Sequence, residues 1–267
     1  MTSIKEIMRQ RRSVRTFDGR PLSAADREYL ENIGKSAANP FDVPVVFRLL
    51  DAKEYGLSSP VIVGADTYLA AKATRVQNYE IAFGYSFEKA CLEALRRGVG
   101  TVMLAASLSR TAFEKAMAVQ PNEVMPVASP VGYPAAKKSI RESLMRKGTR
   151  ADERLPFEKL FFEGDFDRPL GAGNPFSEAL ELMRWAPSAA NKQPWRAVVV
   201  GDSVQFYEAK SMNDSPLGDI HKVDIGIGLS HFHLALLENG VDGHFVFDDP
   251  DIAAPDGVQY VVSFKRS

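Results

Sequence analysis

The chain has 267 residues, of which 45% are hydrophobic and 25% are charged. This balance is that of an ordinary globular protein and excludes a predominantly disordered chain. The formal net charge of -1 provides no global field for nucleic acid or an acidic membrane, so an anion site requires a local cluster of Lys and Arg. The N-terminus lacks the apolar core of a signal peptide and no run resembles a membrane span, so we expect a cytoplasmic protein without a membrane partner.

A basic segment follows the first predicted helix, whose apolar positions are Ile4, Ile7 and Met8. The segment reads Arg11-Arg12-Ser13-Val14-Arg15. Guanidinium groups bind phosphate through paired donors, and a serine hydroxyl adds a neutral donor. The segment is therefore a candidate phosphate site. The alternative is a solvated basic helix end, because the C-terminus of a helix favours cations.

One four-residue sequence occurs twice in the chain. Ser36-Ala37-Ala38-Asn39 recurs as Ser188-Ala189-Ala190-Asn191, each time after a helical pattern and before a β-branched run. Further along each copy, a helical pattern ends at Gly98 or Gly240, and glycine readily takes the left-handed conformation that caps a helix. The predicted strands also match in order: residues 43–50 and 124–131 in one half, 197–200 and 258–264 in the other. These similarities predict an internal duplication.

The boundary between the two halves is predicted from Glu163 to Pro175, where turn-forming Gly, Pro and Asp replace any periodic pattern. We divide the chain into residues 1–164 and a shorter half, 165–267, intertwined as one globular unit. Helix and strand patterns alternate without an uninterrupted βαβ series, which favours an α+β fold with helices around a mixed sheet. Gly226 and Gly228 lie within a helical pattern and lack the third glycine of a dinucleotide-binding fingerprint.

A second candidate segment spans residues 186–195 and reads Ala-Pro-Ser-Ala-Ala-Asn-Lys-Gln-Pro-Trp. Its prolines stiffen the backbone, its small residues let that backbone approach a flat ligand, and Asn191 and Gln193 offer amide donors and acceptors. These properties suit a planar heterocycle. The alternative is a helix-to-strand loop with Trp195 in the core.

Together, the Arg-x-Ser segment and the Pro-Ser-x-x-Asn-x-Gln-Pro-Trp segment resemble the two FMN-contacting motifs of the nitroreductase family. In the usual homodimer of that family, the segments that meet at one flavin come from different subunits. Here they lie in different halves of one chain, so the sequence resembles a subgroup in which two protomer-like halves are fused. The resemblance implies a nitroreductase-like fold built as a pseudo-dimer, and a monomer that completes its own flavin site.

The resemblance also implies roles for single residues. Arg11, Arg12 and Ser13 would hold the ribityl phosphate region, and Arg15 would approach the N1 and O2 edge of the isoalloxazine, where a cation raises the reduction potential. The segment after Gly100 corresponds to backbone near flavin N5, although it carries no acidic residue. The residues implied near the ring are Leu104, Ala105, Ala106, Pro187, Ser188, Ala189 and Asn191.

A third segment, Asp152-Glu153-Arg154-Leu155-Pro156, is similar to the family's Lys-x-Arg before Leu-Pro, a further phosphate clamp. Arg154 matches this pattern. Asp152 replaces the lysine, which weakens the clamp unless Lys147 or Arg150 substitutes for it.

The implied activity is electron transfer in two steps, in which NAD(P)H gives a hydride to FMN and a nitroaromatic, a quinone or a similar small acceptor takes the electrons. Because the flavin carries this chemistry, no side chain is required as an acid or base. Two alternatives stay open. One is another reaction of a flavin enzyme with this fold, such as dehalogenation, and the other is a flavin-binding protein without turnover.

The two halves are not expected to form equivalent sites. The offset between the repeats places the basic segment over Glu163-Gly164-Asp165-Phe166-Asp167, and the first Ser-Ala-Ala-Asn copy lacks the flanking Pro and Gln-Pro-Trp. A carboxylate about 4 Å from a phosphate costs roughly 4 kcal/mol at an effective dielectric of about 20. We therefore expect one FMN per chain.

The remaining reactive side chains show no pattern of a site. Cys91, the one cysteine, excludes an intrachain disulfide, and its apolar helical surroundings predict a buried structural thiol. His231 and His233 are two residues apart and so point to different faces of a helix, unlike the paired histidines of a zinc helix. We expect no metal site.

Overall fold

A computed structural model describes residues 2–267. The helices of this part are α1 (Ile4–Gln10), α2 (Ala24–Glu31), α3 (Ala52–Tyr55), α4 (Tyr79–Arg96), α5 (Arg110–Ala116), α6 (Ile140–Gly148), α7 (Ser177–Trp185) and α8 (Ile220–Glu238). The strands are β1 (Val45–Asp51), β2 (Thr67–Thr74), β3 (Gly100–Thr101), β4 (Glu123–Val124), β5 (Ala128–Gly132), β6 (Phe161–Glu163), β7 (Trp195–Val200), β8 (Ser203–Ala209), β9 (Gly243–Val246) and β10 (Val258–Arg266). None of the helices combines the length and hydropathy that crossing a membrane requires.

The strands form two sheets, one in each part of the chain. The first has the order β1-β2-β5-β3, with β4 beside β2, and all its pairings are antiparallel. The second has the order β6-β7-β8-β10-β9, in which β6 and β7 are parallel and the other pairs antiparallel. Helices pack around both sheets, which confirms the predicted α+β fold. Strand β6 precedes the predicted division at residue 164 and pairs within the second sheet.

The predicted strand over residues 124–131 is interrupted in the structure. It divides into β4 and β5, with Pro126 between them. Proline has no backbone N–H to donate to a neighbouring strand, so the pairing stops there and resumes two residues later. The other predicted strands correspond to β1, β7 and β10, with ends shifted by up to two residues.

Helices α4 and α8 cross at the centre of the molecule. Thirteen of the 18 residues of α4 and fourteen of the 19 residues of α8 are buried, as expected of helices surrounded on all sides. A Cβ atom on Gly84 would lie 2.0 Å from the carbonyl oxygen of Val223, and one on Gly226 would lie 2.1 Å from that of Ile81. Val223 lies three positions before Gly226, and Ile81 lies three positions before Gly84. The two contacts are therefore equivalent, and the crossing has a pseudo-two-fold axis.

The ends of these two helices repeat the same symmetry. Gly98 and Gly240 follow α4 and α8 with φ of 73° and 70°. The Val99 N–H donates to the Ala94 carbonyl at 3.0 Å, and the corresponding Val241 N–H donates to that of Leu236 at 2.9 Å. These left-handed glycine caps confirm the predicted helix ends and the duplication of the fold.

We expect Gly84→Ala to lower the free energy of unfolding by more than about 3 kcal/mol. Overpacking a core costs about 1–3 kcal/mol where neighbours can adjust, and here the added methyl group meets the backbone of α8. Chemical unfolding measures the loss. The matched control is Gly148→Ala at the end of α6, where a Cβ would meet no atom within 4 Å. A Gly84→Ala protein as stable as this control would contradict the close crossing.

Candidate functional site

Two adjoining cavities lie beside the crossing of α4 and α8. The arginine cavity has about 540 Å³ of empty space and is lined by Arg11, Arg12, Ser13, Arg15, Arg146, Thr149, Ala151, Arg154, Trp185, Pro187, Ser188, Ala190 and Asn191. The apolar cavity has about 850 Å³, part of it open to solvent. Its lining includes Arg11, Ser13, Arg15, Val102, Met103, Leu104, Ala105, Ala106, Val127, Met145, Pro187, Ser188, Ala189, Ala190, Ile220, Val223, Asp224 and Ile227.

All twelve residues of the predicted cofactor site line one or both of these cavities. Six residues border both cavities and so join the arginine-rich end to the apolar end: Arg11, Ser13, Arg15, Pro187, Ser188 and Ala190. The fold thus brings together segments that are far apart in the sequence. That these residues bind a cofactor stays a prediction.

The basic segment after α1 runs in an extended conformation beside β3. The Val14 N–H donates to the Thr101 carbonyl at 2.9 Å, which fixes the segment at the cavity wall. Arg11 is only 6% exposed, so the alternative of a solvated helix end is wrong for this residue. Its Nη1 lies 3.3 Å from Ser13 Oγ, whereas Nη2 is buried without a hydrogen-bond partner. Arg12 is exposed.

Arg15 lies at the junction of the two cavities. Burial lowers the pKa of its guanidinium, the charge of Glu142 opposes that shift, and the nearby Arg146 and Arg11 add to it. Its Nε is buried without a hydrogen-bond partner. Glu142 instead accepts the Thr16 hydroxyl at 2.7 Å and so ties α6 to the basic segment.

The segment between α7 and β7 holds an unusual backbone shape. Ala190, Asn191 and Gln193 have φ of 47°, 56° and 50°, and left-handed conformations of non-glycine residues cost of order 1–3 kcal/mol each. Surrounding hydrogen bonds hold this shape. The Gln193 N–H donates to Ser188 Oγ at 2.9 Å, and its side-chain oxygen accepts the Leu155 N–H at 2.8 Å. The expected loop and the burial of Trp195 are both observed.

Arg154 links the end of the first half to this loop. Its Nη1 lies 3.4 Å from Asn191 Oδ1, its Nη2 donates to the Trp185 carbonyl at 3.1 Å, and its Nε has no partner. Burial and then the charges of Arg12, Arg11 and Arg184 lower its pKa to about 10, which leaves it a cation at neutral pH.

The expected substitutes for the missing lysine do not reach the cavity. Lys147 and Arg150 line a separate surface groove, whereas Arg146 lines the arginine cavity and pairs with Asp152. Residues adjacent on a helix point in different directions, whereas residues four apart lie on the same face. Arg146 and Glu142 are four residues apart on α6, and both side chains point inward. The pattern of charges in the sequence did not indicate which residue faces inward.

Sequence reasoning also missed Asp224, a buried carboxylate in the wall of the apolar cavity. It lies in the first part of α8, and no local pattern marks it as a site residue. The Ala189 N–H donates to its two oxygens at 3.0 and 3.1 Å, and His221 Nδ1 lies 3.4 Å from Oδ2. Burial raises the pKa of Asp224 to about 6, against the lowering effect of His221 and Ala189.

The pseudo-two-fold axis does not relate two similar sites. Asp224 lies two positions before Gly226, whereas the residue two positions before Gly84 is Ala82. On that other side, aromatic rings fill the interior: Phe41 packs against Tyr85 with centroids 5.9 Å apart and against Phe245 at 5.2 Å. Within residues 2–267, no group of three or more His, Cys, Asp or Glu could hold a metal ion.

A comparison with protein families identifies the group to which the chain is related. The family described as "Putative TM nitroreductase" matches residues 3–236. The chain belongs to this nitroreductase family. A crystal structure from Thermotoga maritima, described as a putative nitroreductase, has the same fold with a TM-score of 0.66 at 20% sequence identity. The match covers 99% of this chain and 94% of that one.

Shorter nitroreductase-family structures match about half of this family member. One from Clostridium novyi has a TM-score of 0.44 at 14% identity, covering 53% of this chain and 91% of that chain. A Bacteroides fragilis nitroreductase with bound FMN has a TM-score of 0.42 at 16% identity, covering 52% and 92%. No curated protein matches the sequence of this nitroreductase-family chain.

We expect Asp224→Asn to remove a pH-dependent loss of stability in this nitroreductase-family protein. The pKa of Asp224 is about 6 in the folded state and about 3.9 in an unfolded chain. The folded state therefore holds the proton more tightly, and stability falls as the pH rises from about 4 to about 6, by on the order of 3 kcal/mol. The asparagine oxygen can still accept the Ala189 N–H.

Urea unfolding of the two proteins at several pH values measures this difference. Between about pH 4 and pH 6, the wild type is expected to lose stability relative to Asp224→Asn. The control is Asp256→Asn, a change at an exposed turn, which is expected to follow the wild type. Parallel curves for the wild type and Asp224→Asn would show that Asp224 does not titrate as the structure indicates.

Proposed function

We propose that this protein is an FMN-dependent oxidoreductase that takes hydride from NAD(P)H and passes electrons to a nitroaromatic, a quinone or a similar small acceptor. Membership of the nitroreductase family supports the class of reaction. The observation that carries the proposal is an arginine-rich cavity that opens into an apolar one, with buried guanidinium N–H groups that have no protein acceptor.

The residues present fit FMN. Buried polar atoms are nearly always paired, so the unpartnered Nη2 of Arg11 and Nε atoms of Arg15 and Arg154 indicate a ligand that supplies acceptors. Phosphate oxygens are such acceptors, and guanidinium groups favour them. The adjoining cavity has largely aliphatic walls. A flat, largely apolar ring suits that space.

FMN supplies hydride and electron transfer when it is bound, and the protein supplies binding, orientation and electrostatics. We propose that Arg11, Arg12, Ser13 and Arg154 hold the phosphate region, with Arg146 in the place of the missing lysine. Arg15 supplies a positive charge between the phosphate end and the ring end. Asp224 holds the Ala189 N–H and thereby fixes the loop that lines the ring, so that its backbone is in place before the ligand binds.

The division of the chain into residues 1–164 and 165–267 is also proposed to be functional. The first part supplies the basic segment and Arg154, the second supplies the loop at residues 187–191, and a single chain completes the site. The aromatic packing around Phe41 supports one site per chain, because it occupies the interior on the other side of the pseudo-two-fold axis.

We expect one FMN per chain at saturation. The protein is saturated with FMN and freed of excess flavin, and the bound flavin is then extracted. The amount of extracted flavin divided by the amount of protein chain gives the ratio. A ratio near two would contradict the single site and would require the aromatic side chains around Phe41 to move aside. A ratio near zero would indicate a family member that has lost the cofactor.

We expect Arg11→Ala to weaken FMN binding by roughly tenfold or more. A charge-assisted hydrogen bond contributes about 1.5–3 kcal/mol, and about 1.4 kcal/mol corresponds to a factor of ten. Fluorescence titration measures the affinity, and circular dichroism checks the fold because Arg11 also neutralises the buried Glu88. The control is Arg9→Ala, since Arg9 is an exposed cation of α1 that does not line either cavity. Equal affinity in the folded Arg11→Ala protein would remove Arg11 from the site.

The proposed activity is tested by steady-state oxidation of NADH and NADPH with nitroaromatic and quinone acceptors. Turnover that requires both FMN and an acceptor supports the proposal. FMN binding without turnover would instead indicate a flavin-binding protein, and release of halide from a halogenated substrate would indicate a different reaction on the same fold. Either result would replace the proposed reaction.

A further inference from the structure

Three buried ionisable side chains meet behind the wall of the arginine cavity. Glu88 Oε1 lies 2.9 Å from Arg11 Nε and 2.9 Å from His231 Nε2. The side chains of Glu88 and His231 are 0% exposed, and that of Arg11 is 4% exposed. Glu88 belongs to the middle of α4 and His231 to the middle of α8, so this cluster joins the two central helices to the basic segment.

The neighbours of His231 determine where its protons lie. Its Nδ1 is 3.1 Å from the Leu182 carbonyl oxygen, which can only accept, so Nδ1 carries a hydrogen. Its Nε2 faces Glu88 Oε1, and a bare nitrogen there would place two lone pairs against each other at 2.9 Å. Burial alone raises the pKa of Glu88, but the charge of Arg11 and the hydrogen bond and charge of His231 outweigh it and lower that pKa. Glu88 is therefore a carboxylate, and His231 carries both hydrogens.

The cluster consequently has a net charge of one positive unit, from two cations and one carboxylate. Cys91 is near Glu88, and burial first, then the charge of Glu88, raise the pKa of its thiol to about 12, so it is neutral. A buried net charge is costly unless a counter-charge is near. The Arg11 side chain faces both cavities, and its Nη2 has no partner. The net positive charge of the cluster therefore lies at the cavity wall, next to any ligand bound there.

The pseudo-two-fold axis supports a role specific to this cavity. Glu88 lies four residues after Gly84, and the corresponding residue after Gly226 is Ser230. His231 lies five residues after Gly226, and its counterpart is Lys89. The related positions on the filled, aromatic side thus lack the cluster. Packing of the two helices does not itself require it.

We propose that Glu88 and His231 are positioning residues for Arg11, which hold its guanidinium at the cavity wall and give the cluster a positive charge that binds the anionic part of the ligand. This inference rests on the proposed binding of FMN. A neutral side chain in place of His231 would leave Arg11 and Glu88 as a pair without net charge. The ionisable groups that surround His231 are Glu88 from α4, Arg11 beyond it and the neutral Cys91, while α7 presents the Leu182 carbonyl. Affinity for FMN therefore falls when a neutral side chain replaces His231.

The charge of His231 is tested by nitrogen NMR of the imidazole rings in the protein without added ligand. His233 on the same helix is an internal reference, because burial, followed by the charge of Lys89, lowers its pKa to about 4. At pH 7, His231 is expected to show two protonated nitrogens and His233 one. An unprotonated Nε2 in His231 would overturn the inference, whether or not FMN binds.

The effect on the ligand is tested by titrating FMN against the wild type, His231→Gln and His233→Gln at pH 7. His233→Gln is the matched control, because His233 is also a buried histidine of α8. His233 bonds to Tyr85, however, and lies away from Arg11. We expect His231→Gln to bind FMN at least about tenfold more weakly than the wild type, and His233→Gln to bind it with the affinity of the wild type.

The outcomes separate this inference from the proposed function. Equal affinity of the wild type and His231→Gln for FMN would overturn the positioning role and leave the FMN site intact. Wild-type protein that binds no FMN would overturn the proposed function, and the NMR measurement would then decide the charge of His231 by itself. Equal weakening in His231→Gln and His233→Gln would indicate a general effect on the fold and would overturn the inference.

Discussion

The close crossing of α4 and α8 is the constraint on which the rest of the structure depends. Gly84 and Gly226 remove the side chains that would hold the two backbones apart, so each helix contacts a carbonyl of the other. Because both helices are buried on nearly all sides, the two parts of the chain share one core. The cavities lie beside this crossing, and residues from both helices line or support them.

The crossing is symmetric in its backbone but not in its charges. Asp224, Glu88 and His231 all support the side with the open cavities, whereas Ala82, Ser230 and Lys89 take the related positions on the other side. There, aromatic rings occupy the interior. Burying charge is costly, and buried ionisable groups cluster at functional sites. We propose that the side of the crossing with aromatic rings serves packing and that the side with the open cavities serves a ligand.

Local patterns in the sequence predicted the elements that depend on nearby residues. Helix α1 and the glycine caps after α4 and α8 followed from such patterns. That the Arg-x-Ser and Pro-Ser-x-x-Asn segments lie beside one cavity system was implied instead by the resemblance to the nitroreductase family. The supporting residues could not be predicted in this way. Glu88 and His231 are 143 positions apart in the sequence, and Asp224 meets Ala189 only through the fold. Arg146 was missed because its inward direction depends on how α6 packs.

Binding of FMN and its reduction are both visible in the absorbance spectrum. The protein is saturated with FMN, freed of excess flavin and then mixed with NADH or NADPH without oxygen. We expect the flavin absorbance to stay with the protein, the reduced nicotinamide to bleach it, and a nitroaromatic or a quinone to restore it. Protein that retains no flavin under these conditions would contradict the assignment of the cavities to FMN. Flavin that stays bound but is not reduced by either nicotinamide would contradict the proposed reaction.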